Sequence, residues 1–360
     1  MIEIATDKDI VAISVPFTAG VVAAAYLPHG GMSYSLLALL SSASIIPFLL
    51  LSLRKESGRY SISLLYLFLG AFCYCGAAAF IGDAGSGTVA TGSGMSWLSA
   101  RIESLGLRHE SSAELLQALL TGRKDSLSRE CIGAFRAAGA SHILALSGLH
   151  LGIIYGLAGK LLTVTGNSRA GQVARSALLV ILCGAYTLAT GAGPSITRAF
   201  LFVLLKEIRK VSCGRSLSSA RALNCSLLIQ LAVNPLVIKS LGFQLSYLAM
   251  CGITFVAPRL REWYPESSKL DIMRRIWESV AMSVSCQLFT APLVFLRFGT
   301  FPRYFLVSNL FCLPLTELLT SMAAACLLLD AIGLCPGKMK VLCDMLAQNL
   351  MNVIEVIASL

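Results

Sequence analysis

Ten apolar runs, each about long enough to cross a lipid bilayer, dominate this sequence. A membrane-spanning helix needs about 20 mostly apolar residues. The runs cover residues 10–27, 34–53, 61–81, 141–163, 173–190, 194–211, 222–238, 242–257, 276–296 and 304–334, and we expect Pro314 to interrupt the last. Charged residues make up only 13% of the chain, whereas soluble domains carry about 25%. We therefore predict an all-α, polytopic transmembrane helical bundle with about ten spans.

The basic residues indicate how these spans are oriented, because Lys and Arg collect in cytoplasmic loops. Counting spans along the chain places three basic groups on one side of the membrane. They are Arg54, Lys55 and Arg59, then Lys206, Arg209, Lys210, Arg215 and Arg221, then Arg259, Arg261, Lys269, Arg274 and Arg275. This distribution predicts a cytoplasmic N-terminus and an external segment at 85–111. The net charge of +10 has the same explanation, although a polyanionic cargo would add to it.

The order of apolar and polar stretches predicts three parts. Residues 1–82 form an N-terminal three-span unit, and residues 83–140 form an extracytoplasmic linker with one amphipathic helix at 112–138. Residues 141–360 form a transmembrane core that ends in an interfacial helix at 341–360. Most of the twelve cysteines lie inside apolar runs, without a CxxC pair. We therefore predict packing cysteines, no metal site and no cofactor.

Polar residues in apolar runs are costly at membrane depth, so each group of them is a candidate site. Ser147 and His150 are three residues apart and would share one helical face. Three interpretations are open: a buried polar contact, a pore-lining pair, and a nucleophile with its base. The spacing favours the buried contact and then the pore, so we assign no catalytic residue.

A second group predicts a discontinuous helix. Gly191 and Gly193 allow backbone geometries that a helix excludes. Pro194 suits the first position of a new helix, and Ser195 and Arg198 follow in its first turns. The N-terminus of that helix would point its N–H groups at passing anions. Arg198 is therefore a candidate path residue, unless it extends to the lipid headgroups.

A third group surrounds Gln244. Asn234 and Pro235 end one apolar run, and Gly242 begins the next, two residues before Gln244. Apolar segments interrupted by Gly or Pro indicate transport sites in membrane proteins. We therefore include Gln244 among the predicted path residues.

Four stretches resemble the ComEC family of bacterial competence proteins, in its membrane-embedded competence domain. They are ALLTGRKDSLSRECIGAFRAAGASHILALSGLHLGIIYGL at 118–157, TGAGPSITRAFLF at 190–202, NPLVIKSLGFQLSYLAMCGITFVAP at 234–258, and QLFTAPLVFLRFGTFPRYFLVSNLFCLPL at 287–315. The resemblance implies an inner-membrane channel that passes single-stranded DNA into the cytoplasm during natural transformation. It also implies separate DNA-receptor, motor and nuclease proteins as partners, besides the lipid bilayer.

Two departures from the family pattern affect what we expect of the chain. The stretch 82–112 is too short for the external OB-like domain of many members. The four histidines lack the HxHxDH-type motif of the metallo-β-lactamase-like domain. We therefore expect no nuclease activity, and a core-only member or a fragment. Two other functions stay open: a secondary transporter for a small anion, and an intramembrane hydrolase that uses Ser147 and His150.

Overall fold

The computed structural model describes residues 7–28, 32–52, 59–81, 93–162, 168–213, 217–265, 272–299 and 303–360. These residues form helices and connecting turns, without a strand among them. The helices are α1 Asp7–Tyr26, α2 Tyr34–Ser52, α3 Arg59–Ile81, α4 Ser93–Ser104, α5 Glu110–Thr121, α6 Arg129–Ala137, α7 Gly148–Leu161, α8 Arg169–Ala189, α9 Pro194–Cys213, α10 Ser219–Val233, α11 Leu241–Cys251, α12 Ala257–Glu262, α13 Ile272–Phe298, α14 Phe305–Ala331 and α15 Gly337–Ala358. A 3₁₀ helix at Pro235–Lys239 precedes α11, and a π-helical segment at Gly252–Val256 joins α11 to α12. The predicted all-α class is confirmed.

Within the described residues, seven helical stretches are long and apolar enough to cross a membrane. They are Asp9–Tyr26, Tyr60–Phe80, Arg169–Ala189, Leu241–Glu262, Ile272–Phe298, Phe305–Ala331 and Gly337–Ala358. Two shorter apolar helices lie at Tyr34–Pro47 and Ser219–Val233. The predicted count of about ten spans is not confirmed. Helix α7 has only 14 residues, and α9 carries five charged residues between Arg198 and Lys210.

The chain forms two compact units. The first unit combines residues 1–88 with 214–247, and the second combines 89–213 with 248–360. The predicted division at residues 82 and 140 stays a prediction.

In the first unit, two glycines allow the backbones of α1 and α3 to touch. A Cβ atom at Gly20 would overlap the carbonyl group of Leu67, and one at Gly70 would overlap that of Phe17. Small residues at such a crossing are typical of membrane helices. The Ser14 hydroxyl on α1 also donates to Asn224 Oδ1 on α10, 2.7 Å away. The first unit is therefore a closely packed group of helices.

In the second unit, α4, α5, α6, α14 and α15 share one apolar core. The single amphipathic helix predicted at 112–138 is wrong: α5 ends at Thr121 with Gly122, whose φ is 77°, as its C-cap, and Ser128 is the N-cap of α6. The apolar face of α15 is covered by α5, α6 and α14. An interfacial helix exposes that face to lipid, so the structure favours a packed helix over the predicted interfacial one.

Three further boundaries differ from the sequence predictions. Helix α7 begins at Gly148, because residues 141–147 form turns and an N-cap. The run at 242–257 contains the π-helical segment, so it is not one regular helix. Helix α14 continues through Pro314, so the predicted interruption there is wrong.

Candidate functional site

Ser147 and His150 form a reciprocal cap at the start of α7. Ser147 is the N-cap residue, and its hydroxyl oxygen accepts a hydrogen bond from the Leu149 N–H at 3.3 Å. The Ser147 N–H donates to His150 Nδ1 at 3.2 Å. This arrangement is a capping box in which histidine takes the position usually held by Glu or Gln. The sequence prediction that these two side chains meet is confirmed, with Ser147 Oγ 3.3 Å from His150 Nδ1.

The cap argues against a nucleophile with its base. A general base must direct a free lone pair at the hydroxyl that it deprotonates, at about 2.6–3.2 Å. The lone pair of His150 Nδ1 is already occupied by the Ser147 N–H. The geometry therefore supports a structural cap at this position.

The predicted helix break lies between Ala189 and Pro194 and forms a tight turn. Gly191 has φ 80° and Ala192 has φ 48°, both in the left-handed region. Pro194 is the first residue of α9, as predicted. The Thr197 hydroxyl donates to the Ala192 carbonyl at 2.9 Å and ties the turn to the new helix.

The break joins two antiparallel helices. A Cβ atom at Gly184 on α8 would lie 3.3 Å from the Phe200 ring on α9. Ser176 on α8 contacts Glu207 on α9, farther from the turn on both helices. Contacts between pairs of residues that lie progressively farther from the turn, one residue on each helix, define a helical hairpin. The predicted discontinuity is therefore a reversal of the chain.

Arg198 lies against the first residue of α7. Its Nη2 atom is 3.5 Å from the position of a Cβ atom at Gly148, and the side chain is only 8% exposed. Its guanidinium carbon is 5.8 Å from the centroid of the Phe202 ring. Since Gly148 has no side chain, the guanidinium lies in the space that a side chain at the start of α7 would approach. Two motifs 50 residues apart in the sequence therefore meet in the structure.

This meeting changes which helix end is the candidate anion site. The sequence pointed to the N-terminus of α9, whereas Arg198 is placed at the N-terminus of α7. That end carries about half a positive elementary charge from the helix dipole. His150 is 2% exposed, and its Nε2 atom has no hydrogen-bond partner among the described residues. We name Ser147, Gly148, His150 and Arg198 the donor layer, because they combine the positive end of α7, the charge of Arg198 and the unpartnered His150 Nε2 atom.

A buried carboxylate that sequence reasoning missed lies deeper between the same helices. Glu207 is 1% exposed. It accepts hydrogen bonds from the Tyr155 hydroxyl on α7 at 2.5 Å and the Ser176 hydroxyl on α8 at 2.6 Å. Lys210 Nζ is 3.8 Å from its carboxylate, and Lys206 Nζ lies 5.0 Å from the Tyr155 ring centroid. We name these five residues the carboxylate layer.

The two layers show that α7 and α9 run in the same direction. Gly148 is beside Arg198, and Tyr155 is beside Glu207, so residue numbers increase together along both helices. Nine residues separate Arg198 from Glu207, which corresponds to about 13 Å along a helix. The sequence did contain a signal for this layer. Glu207 is the one acidic residue between Glu130 and Glu262.

The other predicted path residues are divided between the turn and the first unit. Gly191 and Gly193 shape the turn, and Pro194 and Ser195 begin α9. Gln244 belongs to the first unit, where its Nε2 atom donates to the Ile238 carbonyl and the Tyr26 hydroxyl, each at 2.7 Å. The role of these residues in a path stays a prediction.

Comparisons with known proteins agree with the resemblance of the four motifs. ComE operon protein 3 of Bacillus subtilis (strain 168) is 26% identical over 222 residues, which cover 62% of this chain and 26% of that protein. The uncharacterized protein YcaI of Escherichia coli (strain K12) is 25% identical over 211 residues, which cover 55% of this chain and 26% of that protein. This chain thus matches about a quarter of the length of each relative. No solved structure matches.

The region that matches a protein family contains both the donor layer and the carboxylate layer. A family model described as Competence protein matches residues 119–360, which is more than half of the chain and includes α7, α8 and α9. This membrane protein therefore belongs to the Competence protein family.

Proposed function

We propose that this protein is a channel that passes single-stranded DNA into the cytoplasm during natural transformation. Membership of the Competence protein family supports a role in DNA uptake. The apolar helices support a place in a membrane, which we infer to be the bacterial inner membrane. The observation that carries the proposal is the contact of Arg198 with the N-terminus of α7.

That contact suits a phosphate group. Helix N-termini bind phosphates through free N–H groups and the positive end of the dipole. A guanidinium offers planar donors that match phosphate oxygens. A strand in transit presents one phosphate per nucleotide, so a path needs positive charge that does not depend on base sequence. The donor layer provides this charge without a tight, closed pocket.

The order of the helices is compatible with inward transport. In the predicted topology, with a cytoplasmic N-terminus, α7 and α9 both run from the outer side to the cytoplasm. Their parallel direction agrees with that order. The donor layer would then meet the strand before the carboxylate layer. We expect separate DNA-receptor, motor and nuclease proteins to act with this chain, which we propose carries no nuclease activity.

The proposal is tested by Arg198→Gln. Gln keeps hydrogen-bonding capacity and removes the charge, so the strand loses one charge-assisted contact. Such a contact contributes about 1.5–3 kcal/mol, which corresponds to a drop of roughly 10- to 150-fold in transport. Arg198→Lys should fall between Arg and Gln, because it keeps the charge and loses the planar donors. The measurement is transformation frequency, normalised to the amount of protein in the membrane.

Arg169→Gln is the matched control. Arg169 is exposed and begins α8, at the end of the α8–α9 hairpin that lies opposite the turn. This variant removes the same charge from the same pair of helices and should transform normally. Normal transformation by Arg198→Gln at a normal protein level would refute the role of Arg198. A broad loss of uptake of small anions with normal DNA uptake would favour the anion transporter instead.

A further inference from the structure

Several buried polar side chains in the second unit have an atom without a hydrogen-bond partner among the described residues, and four of these atoms lie on α7, α13, α14 and the π-helical segment. These atoms are His150 Nε2 on α7, Thr254 Oγ1 in the π-helical segment, Gln287 Nε2 on α13 and Asn309 Oδ1 on α14. A buried polar atom without a partner costs about 1–3 kcal/mol. Such atoms are rare in native proteins, and each one requires an explanation. We name these four residues the polar seam.

A continuous series of contacts connects the elements that carry the polar seam. Helix α14, which carries Asn309, packs against α7, which carries His150. Helix α14 also packs against α13, which carries Gln287. The elements that carry the four atoms therefore pack in one series, from α7 with the donor layer, through α14 and α13, to the π-helical segment.

The route continues from α13 to the π-helical segment. The Cys286 thiol lies 3.9 Å from the Ala249 carbonyl, and a Cβ atom at Gly252 would overlap the Ser285 carbonyl. The backbones thus touch where the π-helical segment begins, two residues before Thr254. Single π-helical turns inside α-helices are frequent at functional sites. The irregular backbone lies beside a glycine contact. At membrane depth, irregular backbone is tolerated where it is buried in protein or lines a water-filled cavity.

The chemistry of the four atoms indicates what could satisfy them. Because His150 Nδ1 accepts a hydrogen bond, its Nε2 atom carries the proton and donates. Gln287 Nε2 also donates, Asn309 Oδ1 accepts, and the Thr254 hydroxyl can do both. A phosphate only accepts hydrogen bonds, so it would leave Asn309 Oδ1 unsatisfied. Water molecules and the edges of nucleobases offer both donors and acceptors.

We propose that the polar seam is the water-accessible lining of the strand's path, and that its mixed donors and acceptors contact the bases while the donor layer holds the phosphates. This inference rests on the proposed function. It adds Thr254, Gln287 and Asn309 to the site, and it assigns His150 a second role through Nε2. In the conformation described here, the four atoms are closed off from solvent.

Cysteine substitution tests the seam without requiring transport. Thr254→Cys and Gln287→Cys are made in the full chain, reconstituted in liposomes and treated with a charged methanethiosulfonate reagent. Labelling is read at each cysteine by mass spectrometry, so the native cysteines remain in place. The matched controls are Phe255→Cys and Leu288→Cys, whose native side chains are 46% and 61% exposed on the apolar surface. Reaction requires a thiolate, so cysteines in water should react at least about tenfold faster than those in lipid.

A single-stranded oligonucleotide of mixed sequence is then added to the same liposomes. We expect it to slow the labelling of Thr254→Cys and Gln287→Cys and to leave the two controls unchanged. Equal reactivity of seam and control cysteines without DNA would overturn the seam. Fast labelling that the oligonucleotide does not slow would overturn the strand's passage there and count against the proposed function. The two failures are thus distinguishable.

Discussion

The two polar layers between α7 and α9 are built from opposite chemistry. In the carboxylate layer, Glu207 has two hydroxyl donors and a nearby ammonium group from helices α7, α8 and α9. In the donor layer, Arg198 lies against the positive end of α7, and His150 retains an unpartnered buried nitrogen. The first layer surrounds a carboxylate with donors, whereas the second places a guanidinium group and an unpartnered His150 nitrogen near the positive end of a helix.

This difference indicates that one layer contributes mainly to stability and the other mainly to function. Hydrogen bonds to a buried charge stabilise a fold when both partners come from the protein. Positive groups placed together are stabilised most when an anion from outside the protein binds to them, as phosphate does at helix N-termini. The carboxylate layer should therefore stabilise the packing of α7, α8 and α9, and the donor layer should serve transport.

The largest effect on stability is expected from Glu207→Leu. This change leaves the Tyr155 and Ser176 hydroxyls without their acceptor and removes the ion pair with Lys210. Each hydrogen bond to a charged group contributes about 1.5–3 kcal/mol, so the loss in unfolding free energy should be on the order of 3–5 kcal/mol. Thermal unfolding in detergent measures it.

Glu207→Gln is the control for Glu207→Leu, because its single oxygen still accepts one of the two hydroxyls. It should be less destabilising than Leu. A Glu207→Leu protein as stable as the wild type would show that the carboxylate layer does not hold the three helices together.

An intermediate effect is expected from Tyr155→Phe. The substitution removes the hydroxyl that donates to Glu207 at 2.5 Å and keeps the ring beside Lys206. The unfolding free energy should fall by about 1.5–3 kcal/mol, because one hydrogen bond to a charge is lost. In a double-mutant cycle with Glu207→Leu, the double mutant should lose less unfolding free energy than the sum of the two single losses. Full additivity would contradict a direct interaction between the two side chains.

The smallest effect on stability is expected from Arg198→Gln. Positive charge at a helix N-terminus is unfavourable by about 0.3–1 kcal/mol, so removing it should largely offset the loss of the contact with the Phe202 ring. The same variant should lose most of its transport. A large loss of stability in Arg198→Gln would remove the distinction between the two layers.

Local features of this site could be predicted from the sequence. Proline at the first helical position predicts where α9 begins. The spacing of three residues predicts that Ser147 and His150 meet. Both features depend on neighbours within one helical turn, so tertiary structure is not needed to anticipate them.

Contacts between distant segments could not be predicted in this way. The placement of Arg198 at α7 requires the α8–α9 hairpin to fold back beside α7, and no pattern in a single helix specifies that crossing. The π-helical segment depends on the contact of Gly252 with α13, 33 residues later in the sequence. The sequence shows Glu207 as an isolated acidic residue, but it does not show that the partners of this residue lie on α7 and α8.

The glycine contacts between α1 and α3 restrict how the first unit can move. Gly20 and Gly70 each lie against the partner backbone, so any side chain shifted into either position would collide with a carbonyl group. A screw motion by one residue, about 1.5 Å along the axis with about 100° of rotation, would produce such a collision. This kind of motion between the two helices is therefore blocked by the partner backbone.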